Sequence, residues 1–503
     1  MLDSNNTLDS GHTRSQFSKT ISDIEIDISK LDDEMSRLQL FMSQLAARRQ
    51  SLEGSLKEHR SVVAPIRRIP LEVLSEIFLF CADSNSKCFD VTQAPMQLSF
   101  VCNKWRRLVI SMSQLWSSIS LQGDLGYFRR GEGETCSESI QTDMLRMWLL
   151  RSGSSPLTLV IDELWLESDV LTSCIAILIP HSHRWRDVTF SLDDTHWEML
   201  SAVKGHLPQL ERFDIDVFEN PIDGFTIPPD IFEVTPKLHT ITMHYYPEST
   251  DWLIPWGQLR CLHFNLYFPM DLARVLQQCS NLARCTIDIY NFDLHGVLDD
   301  LDHSCLKSLH LLLRVQDYLR VLFDILTLRA LRDLDIARPL GAGSTLTLPR
   351  NAVASMLDRS SCNLQRLRLF CVQFTGDELV VILKAQPSLV ELVVHEPTSP
   401  IVTKRVLKQM THDISHFPMG LPLVVPNLKR LELFAAFAYS DQVILDLIES
   451  RWWCGSTQVA NVESVRLGIT REVSLGTIAR MALWRKEGLN LEVQTQGRAV
   501  QWS

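Results

Sequence analysis

From Ile21 onward the apolar residues fall on a seven-residue repeat. Ile21, Ile28, Met35 and Met42 hold one position, and Ile24, Leu31, Leu38, Leu45 and Leu52 hold the position three later. Arg49 interrupts the first series and Leu56 resumes it, with Asp, Glu, Ser, Lys, Arg and Gln between. Such a stripe lies along one side of a helix and is too narrow for the helix to bury alone. Residues 18–60 are therefore predicted as a helix that either pairs with another helix as a coiled coil or packs on its own protein. Self-association through residues 21–56 is one form of the first alternative. The polar residues 1–17 are expected to be disordered, and Pro65 and Pro70 end the pattern.

A second pattern fills the back of the chain, where a six-residue frame, apolar-x-x-apolar-x-apolar, recurs. Copies start at Leu210, Leu238, Leu259, Leu282, Leu306, Leu331, Leu364, Leu389 and Leu428, with weaker ones at Trp185 and Val462. Start-to-start steps run from 21 to 39 residues, the long ones implying inserted loops. Alternation over the last three frame positions describes a strand with one buried face. Helical stretches intervene, such as 271–278 and 377–384. A strand plus a helix per unit, neither able to bury its face alone, stacks into a solenoid with the strands on the concave side. Residues 150–498 thus resemble an irregular leucine-rich repeat domain, although the Asn or Cys that the family carries after the strand is mostly missing. The competing architecture is a mixed α/β domain with unrelated strands.

Between these two patterns lies a short helical region. Ile69-Pro70-Leu71 opens a helix in which Leu71, Leu74, Ile77 and Phe78 share a face, and Pro70 preorganises its first turn. Leu98, Val101, Trp105 and Leu108 mark a second helix, and Leu115-Trp116 a third piece. This ordered series, with Val73-Leu74, Val101-Cys102 and Trp105-Arg106, resembles an F-box over residues 62–121. The heptad helix running into Pro65-Ile66-Arg67-Arg68 is similar to the front ends of fungal F-box proteins. The resemblance implies binding to the Skp-type adaptor of a cullin ubiquitin ligase. By matching position, Pro70, Leu71, Leu74, Ile77, Phe78, Val101, Cys102 and Trp105 would contact the adaptor or lie just beneath the contact. The connection 79–97 is longer than is usual for an F-box, and residues 122–149 are read as a linker.

The fold class expected is therefore multi-domain: an N-terminal coiled-coil helix, a small all-α F-box and a C-terminal α/β solenoid. In a solenoid of this kind the outward strand residues line one continuous surface. Arg366, Arg368, Phe370, Arg430 and Phe434 would give it a basic and aromatic end, with His244 and His263 farther along. Arginine beside exposed aromatic rings is the composition of interface hot spots, so these seven are the candidate target-binding residues.

Composition narrows the function. The chain has 49 Lys and Arg against 60 Asp and Glu, a net charge of −11, which argues against nucleic acid and anionic membrane as partners. No apolar run reaches the roughly 18 residues that span a bilayer, and no secretory signal opens the chain. Twelve cysteines stand without a Cys-x-x-Cys pair, as buried free thiols in a reducing compartment would. His181 and His183 offer two metal ligands, but spacing suggests no third. Neither a phosphate-binding glycine loop nor a hydrolase or zinc-protease motif occurs, so the chain is expected to be no enzyme, to use no cofactor or metal, and to sit in the cytoplasm or nucleus. The expected role is a substrate-recognition subunit of a Skp–cullin–F-box ubiquitin ligase. The alternative is a leucine-rich-repeat scaffold, outside ubiquitin transfer, with a degenerate F-box.

Overall fold

A computed structural model of the chain describes residues 11–82, 88, 90–121, 138–162, 168–216, 230–244, 252–266, 275–290, 300–314, 319–339, 346–396, 400–412, 424–437, 439–453, 459–496 and 498–500. Most of the expected linker and residues 1–10 lie outside these. The chain divides into two units, Met1–Ile77 and Phe78–Ser503.

The first unit is dominated by one helix, Gly11–Val63, of 53 residues, about 80 Å long at 1.5 Å per residue. It begins inside the segment expected to be disordered. The reason lies in the sequence: Phe17 holds the same heptad position as Ile24, and neither Gly nor Pro interrupts residues 12–20. The stripe is uncovered along its length, with Ile21, Leu31, Leu38 and Leu52 all more than half exposed. Arg49, at the break in the stripe, turns aside to Glu53 at 2.8 Å, and Lys30 pairs with Asp27 at 2.9 Å. The helix ends before Pro65, and Pro65–Arg68 form a single 3-10 turn. The next helix, Leu71–Cys81, contains the boundary between the two units.

The second unit is built on a sheet of fifteen strands among the described residues. From Ser118–Leu121 to Asn490–Thr495 every neighbour pair is parallel, and only the closing Arg498–Ala499 turns back antiparallel. All eleven apolar frames are strands, and their three apolar positions are buried without exception. Leu364, Leu367 and Leu369 stack beside Leu389, Leu392 and Val394, for example, because the strands pair in register without slippage. Helices return the chain between strands, and neighbouring ones pack together. Their starts follow sequence: Thr375 and Glu378 form a reciprocal capping box on Gly376–Ala385, and Asp193, Thr403 and Ser474 cap three other helices. The strand-plus-helix array is thus of the leucine-rich-repeat type.

Two boundaries differ from the expectation. The sheet already begins at Ser118, within the span assigned to an F-box, because Trp116, Ile119 and Leu121 themselves obey the repeat frame and are buried. A helix, Glu138–Ser152, occupies the end of the expected linker and buries Leu145, Trp148 and Leu149 at helical spacing.

The turn into each strand leaves backbone groups inside the molecule, where they need partners. In place of a repeated Asn or Cys, polar side chains of several kinds serve turns among the described residues. Gln258 Nε2 donates to the carbonyls of Thr235 and Leu238 at 2.6 and 2.9 Å. His303 donates from Nε2 to Cys279 O at 2.9 Å and accepts at Nδ1 from Leu306 N at 3.1 Å. Gln386 Oε1 accepts from Leu364 N, and Arg184 donates to Ser155 O. The largest such device is Arg451, 3% exposed, whose guanidinium donates to the carbonyls of Met410, Val424 and Val425.

Each margin of the sheet carries a further backbone contact. Cys88, fully buried, donates its N–H to Ser120 O at 3.1 Å on the first strand. The long 79–97 connection therefore returns to the sheet, although residues 83–87 and 89 lie outside the described ones. At the other margin, Arg498–Ala499 covers Gln494 and Thr495.

Candidate functional site

Parallel strands in register bring like positions of successive repeats to about 4.8 Å from one another, so outward side chains meet along rows. Arg366 stands between Asp333 and Glu391, and Arg368 between Asp335 and Val393. The result is a lattice of ion pairs. Arg366 Nη2 reaches Asp333 Oδ2 at 2.5 Å. Glu391 is gripped from both sides: Arg368 donates from Nε and Nη2 to Oε1 at 2.8 and 2.6 Å, and Arg430 Nε donates to Oε2 at 2.8 Å. Beyond it, Arg466 spans Glu432 and Glu492 at 3.2 and 2.8 Å. Here the open face holds a depression of about 180 Å³, walled by Glu391, Arg430, Glu432, Ser464 and Arg466.

Burial would push the Glu391 carboxyl up, but the hydrogen bonds and charges of Arg368 and Arg430 outweigh it and hold it below its ordinary value. A depressed carboxylate contributes stability that is present above its unfolded pKa, near 4.5, and is lost as pH falls through the lower folded value. Glu391→Gln is thus expected to cost about 2 kcal/mol at neutral pH. The gap from the parent should narrow towards acid. Denaturant unfolding of both proteins across that range checks it, and a gap that stays constant would contradict this role for the carboxylate. Asp335 behaves oppositely: burial raises its pKa against the pull of His310 and Arg368.

Along the next row the rings line up. Phe370 meets His395 edge-on at 4.6 Å, and His395 stacks on Phe434 at 4.3 Å. His395 Nε2 also contacts Glu432 Oε1 at 2.7 Å. Phe434 lies flat over Gly468, where an added Cβ would fall 2.1 Å from the ring, so only glycine admits this stack. Farther along, His244 and His263 approach edge-on at 5.7 Å, with His244 Nε2 3.3 Å from Asp214 Oδ1. Burial first, then His244, lowers the His263 pKa and favours its neutral form.

The structure therefore gathers the seven predicted surface residues into two groups: His244 with His263, and the three arginines with Phe370 and Phe434. The arginines do not form a basic patch, because each is paired with a carboxylate of its own face. Asp333, Glu391, His395 and Glu432 are members of these groups that the seven predicted residues do not include. Their positions in the frame were legible; their pairing across strands was not.

The residues predicted to meet an adaptor divide by exposure. Pro70, Leu71, Ile77, Val101 and Cys102 are exposed, and Trp105 is half-buried. Leu74 and Phe78 are each only 1% exposed, and Phe78 meets Trp105 edge-on at 4.8 Å, so these two act in packing. Further apolar side chains stand in solvent, Val73, Phe100 and Phe80 among them, the last 90% exposed. No periodicity marks Phe80, since it falls on the helix face opposite the packed one. Trp116 is wholly buried against Trp148, its Nε1 donating to Val109 O at 2.9 Å.

Among the described residues no cluster of three metal-ligating side chains occurs, and no helix is long and apolar enough to cross a membrane. The ten described cysteines carry free thiols. No protein-family model matches the chain, and no curated protein sequence matches it. Among solved structures the chain is similar to one in the crystal structure of the Rad7 and Elc1 complex in yeast. The TM-score is 0.32 at 14% identity, over 77% of this chain and 94% of that one.

Proposed function

We propose that the chain is a non-catalytic recognition subunit of a Skp–cullin–F-box ubiquitin ligase. The observation that carries this reading is the helix Leu71–Cys81. With Leu74 and Phe78 buried, it still leaves Leu71, Ile77 and Phe80 in water. A short helix that keeps three large apolar side chains exposed is a docking element rather than a core element. Val101 and Cys102, exposed in the second unit, are proposed as further adaptor contacts. The open face of the repeat sheet would hold the target, through the Arg366–Arg368–Arg430 lattice and the Phe370–His395–Phe434 stack, so that its lysines reach the transferring enzyme by proximity. The Gly11–Val63 helix is proposed to pair with a second copy of the chain.

Co-purification of the full-length chain with a Skp-type adaptor tests the first claim. Stable capture is the expected result. A folded chain that captures none would favour the other reading, a repeat scaffold acting by simple binding outside ubiquitin transfer. For the target surface, charge reversal at Arg366 and Arg368 should abolish target capture without loosening the adaptor.

A further inference from the structure

The stripe on the helix Gly11–Val63 needs an occupant, and its flanking charges specify one. Position the stripe residues as Ile21, Ile28, Met35 and Met42 on one edge and Ile24, Leu31, Leu38, Leu45 and Leu52 on the other. The charged residues that border them are Glu25, Asp27, Asp32 and Glu34 in the first half, and Arg48, Glu53 and Arg60 in the second. The helix thus has an acidic front half and a mainly basic rear half. In paired helices these bordering positions choose partner and orientation.

We propose that a second copy of this chain covers the stripe, and that the two helices run antiparallel with Met35 of each copy opposite Leu38 of the other. This rests on the self-association reading above and adds orientation and register to it. A parallel pair would gain Arg48 beside Glu53 of the second copy but incur two clashes, Asp27 beside Asp32 and two Arg49 side chains face to face in the seam. The antiparallel pair avoids both. It sets Asp27 beside Arg48 of the second copy, twice by symmetry, and Arg49 opposite Ile24 with Glu25 adjacent. The remaining layers are apolar throughout: Ile21 with Leu52, Ile28 with Leu45, Met42 with Leu31, and Phe17 with Leu56. These stripe side chains are half exposed or more in the single chain. The in-helix pairs Lys30–Asp27 and Arg49–Glu53 do not compete strongly, since exposed pairs of this kind contribute little and exchange readily.

Orientation has a consequence for assembly. In a parallel pair the two Val63 ends emerge side by side. In the antiparallel pair they emerge from opposite ends of a rod about 80 Å long.

The experiment uses the full-length chain and three proteins: the parent, Asp27→Arg, and Asp27→Arg with Arg48→Asp. Sedimentation equilibrium should show a dimeric parent, about tenfold weaker association for Asp27→Arg, and recovery in the double variant. The two orientations predict opposite signs, because in a parallel dimer the new guanidinium would face Asp32 and tighten the pair. A photo-crosslinking side chain at position 21 should capture the peptide containing Leu52. Tighter association of Asp27→Arg, or capture of the region around position 21 itself, would overturn the orientation while leaving self-association intact. A parent that stays monomeric at every concentration would overturn both.

Discussion

Replacing Leu71 and Ile77 together by Asp is expected to lower capture of a Skp-type adaptor by more than about a hundredfold while the repeat sheet stays folded. Both side chains are 40–45% exposed, so a carboxylate at either meets water in the free chain and costs the fold little. At an interface the same two carboxylates would lie unpaired against apolar surface, a cost of several kcal/mol. Leu74→Asp is the informative contrast. Its site is 1% exposed, so a charge there attacks the fold first and any loss of capture would be indirect. Pull-down with purified adaptor, read beside circular dichroism, separates the two cases. Undiminished capture by the Leu71, Ile77 double variant would remove the helix Leu71–Cys81 from the interface.

The second large effect concerns stability. Arg451→Met is expected to cost about 3 kcal/mol, because it keeps most of the volume and removes every donor. Three carbonyls then stay buried without their guanidinium: Met410 O, Val424 O and Val425 O, now held at 2.8, 2.9 and 3.1 Å. Val425 adds to the cost, since its φ of 42° puts a β-branched residue in the left-handed region, a conformation that needs outside support. Arg451→Lys should fall between the two, its single ammonium being unable to span three acceptors in a fixed fork. Thermal or denaturant unfolding gives the magnitude, and hydrogen exchange around residues 405–410 and 424–430 gives the place. A Met variant as stable as the parent would show that these carbonyls find other partners.

Much of the repeat sheet was legible because burial on one face imposes a spacing. Each of the eleven frames read in the repeat region is a strand, whereas Leu74-x-x-Ile77-x-Leu79 and Leu145-x-x-Trp148-x-Leu150 fit the same frame and stand in helices. The strands that escaped did so for particular reasons. Trp116, Ile119 and Leu121 obey the frame but lie at the end of a segment read as helical. Leu157, Leu159 and Ile161 alternate without the two-residue gap, because the pairing slips by one residue between Leu157 and Thr158 against Trp185–Ser191. At Asn490–Thr495 the first frame position is Gly488, whose φ of 109° makes the turn without an apolar anchor. The front helix is legible from its heptads, but its start at Gly11 is masked by the polar composition of the first residues, and only Phe17, in the heptad position of Ile24, marks it.

The surface was harder to read. Outward positions follow from alternation, yet alternation does not say that Glu391 will bind two arginines or that Phe434 will settle on Gly468. Those contacts join residues more than twenty positions apart, and only strand register makes them neighbours. On the helix Leu71–Cys81 the apolar spacing treated Leu71, Leu74, Ile77 and Phe78 as one face. Burial splits that face into a packed pair and an open pair, a distinction that depends on what lies behind the helix.

The parallel register of the sheet bears on how such a chain can change its reach. From Ser118–Leu121 to Asn490–Thr495 every rung pairs in parallel with the next. Each repeat inserted into such an array would shift all later rows by one strand spacing while keeping them aligned, lengthening the open face in steps of about 4.8 Å. The length of that face is thus quantised, set by its number of rungs.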